Sequence, residues 1–237
     1  MESGEKTYIR PPTKGNEVNC SNYTMFRPQI IGFFIFLCAF YHVYGTFDQL
    51  QLVLRWPTSF CIGKNCKRTP KDFTIHGLWP DNEAGELNFC NPRASYTIVR
   101  HGTFEKRNKH WPDLMRSKDN SMDNQEFWKH EYIKHGSCCT DLFNETQYFD
   151  LALVLKDRFD LLTTFRTHGI VPRSSHTVDK IKKTIRSVTG VLPNLSCTKN
   201  MDLLEIGICF NREASKMIDC TRPKTCNPGE DNLIGFP

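Results

Sequence analysis

Two histidines, a glutamate and a lysine lie close together in the stretch FWKHEYIKHGSCC, residues 127–139. The spelling is close to the zinc-protease signature H-E-x-x-H, but one extra residue separates the two histidines. On a helix, positions four apart differ by about 40° around the axis, whereas positions five apart differ by about 140°. Glu131 therefore shares a face with His135, and His130 shares a face with Lys134. This set suits proton transfer and anion binding better than zinc, and an exposed face of ion pairs is the plainer alternative.

A third histidine, His76, lies in the stretch FTIHGLWP, residues 73–80. Taken alone, a histidine between Ile75 and Gly77 is more typical of a protein core. Together with the first stretch it completes a set that can cleave RNA: one imidazole removes the ribose 2′-OH proton, and another protonates the leaving 5′-oxygen. Imidazole suits both roles because its unperturbed pKa is about 6.5. Such chemistry requires no metal and no other cofactor.

Both stretches resemble the active-site segments of the ribonuclease T2 family. Three further stretches, FDQLQLVLRWPTSFC, YFDLALVLKDRFDLLTTFRTHGI and LLEIGICFNREAS, resemble the S-RNases of gametophytic self-incompatibility in the nightshade family. The resemblance implies that His135 is the general base and His76 the general acid.

The same resemblance assigns roles to the remaining polar and aromatic residues of the two stretches. It implies that Glu131 and Lys134 stabilise the pentacovalent phosphate and that His130 binds phosphate. It further implies base contacts, since single-stranded RNA is usually held by stacking and edge hydrogen bonds; the residues are Trp79, Asp81 and Phe127. Core packing is the alternative for both aromatic residues.

The first 45 residues are predicted to lie outside the folded domain. Residues 25–45 have one basic residue, a short apolar run and small residues at Val43 and Gly45, which is the pattern of a secretory signal peptide cleaved before Thr46. A membrane anchor is the alternative, but a spanning helix needs about 20 apolar residues. Residues 1–24 form a polar extension that translation from Met25 would omit, and residues 46–237 form the ribonuclease T2-like domain.

Nine of the 11 cysteines follow Gly45, which in an oxidising compartment indicates a disulfide framework. The number is odd, so one thiol is left over, and adjacent Cys138 and Cys139 are the candidates. The family resemblance implies four pairs, with Cys139 free: Cys61–Cys66, Cys90–Cys138, Cys197–Cys226 and Cys209–Cys220. Two glycosylation sequons lie after Gly45, and they begin at Asn144 and Asn194.

Hydrophobic patterns predict an α+β domain whose central, mostly antiparallel sheet is packed by helices. Strands are predicted at residues 47–57, at 73–75 with the Gly-Leu-Trp-Pro tail ending the run, and at 203–210. Helices are predicted at 124–136, where Gly136 closes the helix, and at 146–169 and 175–190.

The sequence therefore predicts a secreted, monomeric endoribonuclease, without a membrane segment in its mature form, that cleaves single-stranded RNA through a 2′,3′-cyclic phosphate. As an S-RNase it would act in the style and be recognised by pollen F-box proteins. The polar segment from Asn82 to His110 is the candidate recognition surface. The nearest alternative is an S-like T2 ribonuclease for phosphate recycling or defence. Such enzymes tend to be acidic, and the excess of 27 Lys plus Arg over 23 Asp plus Glu after Gly45 argues mildly against this alternative. A binding protein without catalysis and a zinc peptidase are less favoured.

Overall fold

The computed structural model describes residues 47–83, 85–100, 102–117, 124–221, 225–226 and 232–237. The predicted polar extension, the signal peptide and its cleavage site lie outside these residues. The strands are β1 Gln49–Arg55, β2 Thr74–Asn82, β3 Gly85–Glu86, β4 Ser174–Thr177, β5 Asn194–Cys197, β6 Leu203–Asn211, β7 Met217–Ile218 and β8 Leu233–Phe236. The helices are α1 Pro57–Cys61, α2 Phe104–His110, α3 Gln125–Lys134, α4 Glu145–Asp157, α5 Leu161–Thr167 and α6 Val178–Thr189, with a 3₁₀ helix at Gly136–Cys138.

The strands form one antiparallel sheet in the order β3-β2-β1-β6-β5, with β7 paired to β6. A separate two-stranded sheet joins β4 to β8. The α+β prediction, with a central antiparallel sheet packed by helices, is confirmed. Within the described parts of the chain, no helix is both long enough and apolar enough to cross a membrane.

The two faces of the sheet differ in chemistry because side chains alternate along each strand. Leu50, Leu52 and Leu54 of β1 are fully buried in the core. They lie opposite Phe210, Ile208 and Ile206 of β6, while Tyr148 and Phe149 of α4 are buried in the same core. The other face carries Gln51 and Arg55, opposite Cys209 and Glu205. This polar face is where the candidate site lies.

Strand β2 continues through the Gly-Leu-Trp-Pro segment, so the prediction that this segment ends the strand is wrong. Proline has no N–H to donate, so it rarely occurs in a strand that is paired on both sides. Pro80 is tolerated because β3 pairs with β2 only at Asp81 and Asn82.

The helical predictions differ from the structure in three places. Helix α3 ends at Lys134 and passes into the 3₁₀ helix, so Gly136 does not close it as predicted. The long helix predicted at 146–169 is two helices, and Asp160 caps the second by accepting a hydrogen bond from the Thr163 N–H. The third helix begins at Val178, not at residue 175, because β4 extends to its N-cap Thr177, and it ends as predicted before Gly190, which lies in the left-handed region at φ 75°.

Four disulfides join the described residues: Cys61–Cys66, Cys90–Cys138, Cys197–Cys226 and Cys209–Cys220. They are the pairs that the family resemblance implied. Cys139 is a buried free thiol, and burial raises its pKa to about 12. Cys90–Cys138 closes the longest of the four loops and holds the segment after β3 against the end of α3.

Candidate active site

His76 lies at a β-bulge in β2. Gly77 is paired with Val53 and Ile75 with Leu54, so His76 is an extra residue with no partner in this register. The bulge lets Ile75 and Leu78 both enter the core while the His76 side chain turns to the polar face of the sheet. The His76 carbonyl, which has left the ladder, accepts a hydrogen bond from Trp111 Nε1 at 2.8 Å.

Helix α3 supplies the carboxylate of the site. Trp128 fixes its register, because this residue is fully buried and its indole N–H donates to the Trp111 carbonyl at 2.7 Å. Glu131 consequently points into the protein and is 3% exposed, whereas His130 on the next face is exposed. Burial raises the pKa of Glu131, although His76, His130 and the Trp79 indole oppose this shift.

His135, directly after α3, is buried beneath Trp79. The two rings are nearly parallel, with centroids 5.0 Å apart, and His135 is only 1% exposed. Burial, and after it the charges of Lys134 and His76, lowers the pKa of His135 to about 2. The backbone of Leu87 opposes this shift only in part, since neither ring nitrogen reaches hydrogen-bonding geometry with any described residue. The ring is thus a neutral imidazole, the form that can accept a proton.

His76 lies between two carboxylates. Its Nδ1 is 2.7 Å from Glu205 Oε1, and its Nε2 is 3.8 Å from Glu131 Oε1. Arg55 holds Glu205 from the other side, with both its Nε and its Nη2 at 3.1 Å from Oε1. Burial alone would raise the pKa of Glu205, but the contacts with His76 and Arg55 lower it to about 2.

The two aromatic residues expected to contact bases lie beside the histidines. Trp79 meets the His76 ring edge-on at 5.2 Å, and Phe127 lies parallel to His76 with centroids 6.4 Å apart. Both rings are only partly buried, and Phe127 also packs against the hydrophobic core, so core packing stays the alternative for Phe127. Asp81 lies two residues beyond Trp79 on β2, with its side chain buried and its backbone opposite Gln49 and Glu86.

The end of α3 forms the rim of the site. The Lys134 side chain is partly exposed, and its carbonyl accepts from the Phe89 N–H at 2.7 Å. Phe89 is half exposed, has φ 55° and contacts the His130 ring at 6.2 Å. Because Cys90 is joined to Cys138, this aromatic ring stays beside His130.

The structure thus brings His76, Glu131 and His135 together with Trp79 and Phe127, and leaves His130 and Lys134 at the rim. Within the described ranges, no three His, Cys, Asp or Glu side chains are grouped so that they could hold a metal ion. His130 is exposed and His135 is buried, so these two rings do not converge on one zinc, as their five-residue spacing predicts.

Two residues of the site, Glu205 and Arg55, were missed by sequence reasoning. The one feature of the sequence that could have indicated them is a charged residue within or beside an apolar strand. Glu205 is the single acid within the apolar strand LLEIGICF, and Arg55 ends the apolar run LQLVL. A buried strand seldom carries a charge unless the charge has a partner.

The structure bears on the two glycosylation sequons and on the predicted recognition segment. The Asn194 side chain is buried and its Nδ2 donates to Gln51 Oε1 at 2.6 Å, so a glycan on that nitrogen is incompatible with this arrangement. Asn144 is exposed and caps α4, which leaves it as the accessible sequon. The segment 82–110 is mostly exposed where it is described, but Arg107 is buried with its guanidinium 3.8 Å from the centre of the Phe149 ring.

Comparisons with known proteins find similar sequences and similar folds. The model of the ribonuclease T2 family matches residues 47–220. Ribonuclease S-2 of Nicotiana alata is 51% identical over 208 residues, covering 86% of this chain and 96% of that protein. The crystal structure of the self-incompatibility-associated SF11-RNase of Nicotiana alata superposes with a TM-score of 0.74 at 43% identity, covering 80% of this chain and 98% of that one. A variant of RNase MC1 from bitter gourd seeds, in complex with 5′-UMP, gives 0.71 at 31% identity, with 81% and 99% covered.

Proposed function

Because the chain belongs to the ribonuclease T2 family, we propose that it is an endoribonuclease that cleaves single-stranded RNA by acid–base catalysis between His135 and His76. One observation carries this proposal: two imidazoles from separate segments lie on the same indole, at 5.0 and 5.2 Å from Trp79, with Glu131 beside them. The two imidazoles have different surroundings, as expected if one acts as a base and the other as an acid. His135 is buried and neutral, whereas His76 is paired with carboxylates.

The reaction follows from these two environments. Neutral His135 removes the proton from the ribose 2′-OH, and the resulting oxygen attacks the adjacent phosphorus. As the bond between phosphorus and the 5′-oxygen breaks, His76 gives its proton to that oxygen. The products are a 2′,3′-cyclic phosphate and a free 5′-hydroxyl. DNA is not a substrate, because it lacks the 2′-OH nucleophile.

The residues around the histidines suit a phosphate and its bases. Lys134 and His130 lie at the rim, where cations would stabilise the charge of the pentacovalent phosphate, and Glu131 lies beneath it. Trp79 and Phe127 offer exposed ring surface on either side of His76, and stacking is the usual way to hold unpaired bases. The complexes of RNase MC1 with 5′-UMP and of RNase NT with 5′-AMP support nucleotide binding.

RNA digestion by single variants tests the mechanism. His76→Ala and His135→Ala are each expected to lower the cleavage rate by about 10²–10⁴-fold, which is typical for the loss of a general acid or base. Cleavage is expected to persist in EDTA. Full activity of His135→Ala, or loss of the wild-type activity in EDTA, would contradict the proposal. Exposed His168→Gln serves as the matched control.

Self-incompatibility is the biological role that the relatives favour. The identity to Ribonuclease S-2 of Nicotiana alata is 51%, whereas the identity to the seed ribonuclease MC1 structure is 31%. We infer that the protein is secreted into the style as a monomer and is recognised there by pollen F-box proteins. Its exposed segment 82–110 is the proposed recognition surface, since exposed loops on a rigid scaffold commonly bind partners.

A segment exchange tests this assignment. Residues 82–110 would be replaced by those of another S-RNase, while Cys90, Phe104 and Arg107 are kept because each is anchored in the fold. RNA cleavage is expected to stay near the wild-type rate while the rejected pollen genotype changes. Unchanged pollen specificity in a folded, active exchange variant would place recognition elsewhere. If the protein were expressed only in tissues other than the style, an S-like role would be favoured.

The secreted form makes a separate prediction. Protein isolated from tissue is expected to begin at Thr46 and to carry one glycan, on Asn144, because the Asn194 amide is buried. N-terminal sequencing and peptide mass spectrometry measure both features. A glycan on Asn194, or a retained leader of residues 1–24, would contradict them.

A further inference from the structure

The carboxylate of Glu205 lies between an arginine and the proposed general acid. Its Oε1 is 2.7 Å from His76 Nδ1 and 3.1 Å from Arg55 Nε. The three side chains come from neighbouring strands of the sheet, β2, β6 and β1. Arg55 and Glu205 are direct cross-strand partners, and His76 reaches them from the bulge.

A structural ion pair would account for only part of this arrangement. Removing a carboxylate from water costs several kcal/mol unless it is paired with good geometry. Arg55 supplies that pairing, and the pKa of Arg55 is lowered by burial while Glu205 opposes the shift. Yet the shortest contact of Glu205 is with His76, not with Arg55. The arginine holds the carboxylate, and the carboxylate holds the imidazole.

The position of the contact on the ring decides which nitrogen is free. A carboxylate is an acceptor only, so its 2.7 Å approach favours the tautomer with a proton on Nδ1, although the angle of the contact lies outside that of a good hydrogen bond. Nε2 then faces Glu131, and Trp79 and Phe127, the proposed base contacts, lie beside the same ring. A histidine is oriented in the same way by the buried aspartate of a Ser-His-Asp triad.

We propose that Glu205, held in place by Arg55, is a positioning residue that fixes the His76 ring through Nδ1 and so directs the Nε2 proton at the leaving 5′-oxygen. This inference rests on the proposed ribonuclease function and deepens it. The charged groups that face His76 are Glu205 from β6, Glu131 from α3 and His135 after α3, with Arg55 behind Glu205. Of these, Glu205 alone contacts Nδ1.

The test replaces Glu205 by its neutral isostere. In Glu205→Gln, kcat/KM for a fluorogenic single-stranded oligoribonucleotide is expected to fall by about 10–100-fold, less than for loss of the acid itself. KM should change by less than about threefold, since the substrate is not contacted. The loss should fall on kcat, because the ring that Glu205 orients acts in the transition state.

Two further variants separate positioning from stability. Glu205→Gln leaves the Arg55 cation without its charge partner, so the double variant Glu205→Gln/Arg55→Met removes that cation and is expected to fold while keeping the reduced kcat. Asp141→Asn, which breaks the partly exposed ion pair with Arg212, should leave kcat and KM unchanged. A wild-type kcat in both Glu205 variants would overturn the proposal.

Nitrogen NMR of the His76 ring makes the inference testable without RNA. In the wild type the neutral ring should carry its proton on Nδ1, and in Glu205→Gln the population of the other tautomer should rise, because a carboxamide can donate as well as accept. If the wild type cleaved no RNA, the ribonuclease proposal would fail while this change of tautomer would still support the role of Glu205. An active enzyme with an unchanged His76 tautomer in Glu205→Gln would refute the positioning role alone.

Discussion

Trp79 stacks on His135, the proposed general base, which is only 1% exposed, and we expect this indole to move when a ribose hydroxyl reaches the ring. The cost of this movement is small if a base of the RNA takes over the stacking, because one aromatic stack of about 1–3 kcal/mol is exchanged for another. Moving the indole also hydrates His135, which removes the main cause of its low pKa. Substrate binding would then turn a weak base into an effective one.

Fluorescence can follow this movement, since the other tryptophans, Trp56, Trp111 and Trp128, are all buried. Binding of 5′-UMP or 5′-AMP is expected to change the emission and the acrylamide quenching of the wild type. The Trp79→Phe variant should bind with little change in either signal. An equal response in Trp79→Phe would show that Trp79 does not move or stack.

The bulge in β2 and the glycine after it act together to bring the side chains of the site close to one another. A Cβ at Gly77 would overlap both the Trp79 indole nitrogen and Glu131 Oε2. Because Gly77 has no side chain, the Trp79 indole and the Glu131 carboxylate can both approach its backbone. The bulge itself moves His76 out of the ladder and towards them.

Two glycines at the same level of the sheet make a matched pair of variants. Gly77 and Gly207 both lie opposite Val53, one on each side of β1. Gly77→Ala is expected to lower RNA cleavage about 10²-fold, because a displacement of about 1 Å in a site can cost that much. Gly207→Ala instead crowds the Gln51 side chain, 2.8 Å from its new Cβ, and should keep cleavage.

Both alanines are expected to cost about 1–3 kcal/mol of folding stability through overpacking. Urea unfolding measured beside the activity separates the two effects. Equal losses of activity in both variants would mean that Gly77 matters for folding rather than for the site.

Sequence predicts well the residues that are neighbours along the chain. The stretches holding His76 and His135 are short, and the helical face of Glu131 follows from its spacing. The Arg55–Glu205 contact could not be predicted, because it depends on the register between strands 150 residues apart. The continuation of β2 past Gly77 was missed for a related reason: a glycine and a proline usually end a strand, and only the pairing with β1 keeps this one extended.

At the scale of the whole molecule, the sheet separates stability from chemistry. One face is covered by α4 and α5 and holds the aromatic and aliphatic core. The other carries the buried charges of the site. Those charges make the stability of the entire fold depend on pH, because folding changes the protons that they bind.

The proposed general base has the clearest effect. The folded pKa of His135 is about 2, below the unfolded value of about 6.5, so only the unfolded chain gains a proton as the pH falls below 6.5. The contribution of His135 to the free energy of unfolding is therefore complete above pH 6.5, and it declines as the pH falls from 6.5 towards 2. The Glu205 carboxyl, with a pKa of about 2, loses its contribution only below its unfolded value of 4.5. Glu131 acts in the opposite sense, because its pKa is raised and the folded state holds its proton longer.

Replacing His135 by phenylalanine isolates the contribution of His135 to the pH dependence of stability. The Phe ring can keep the stack on Trp79, and it deprives no hydrogen-bond partner, since the imidazole nitrogens have none among the described residues. Between pH 6.5 and 4.5, the wild-type free energy of unfolding should fall more steeply than that of His135→Phe, by up to about 1.4 kcal/mol per pH unit. The contributions of Glu131 and Glu205 cancel in the comparison to the extent that both remain in place. Urea unfolding at a series of pH values measures the two slopes, with His168→Gln as a control for removal of an exposed histidine. Parallel slopes for wild type and His135→Phe would mean that water reaches His135 in the folded enzyme, and Trp79 would then not cover the base.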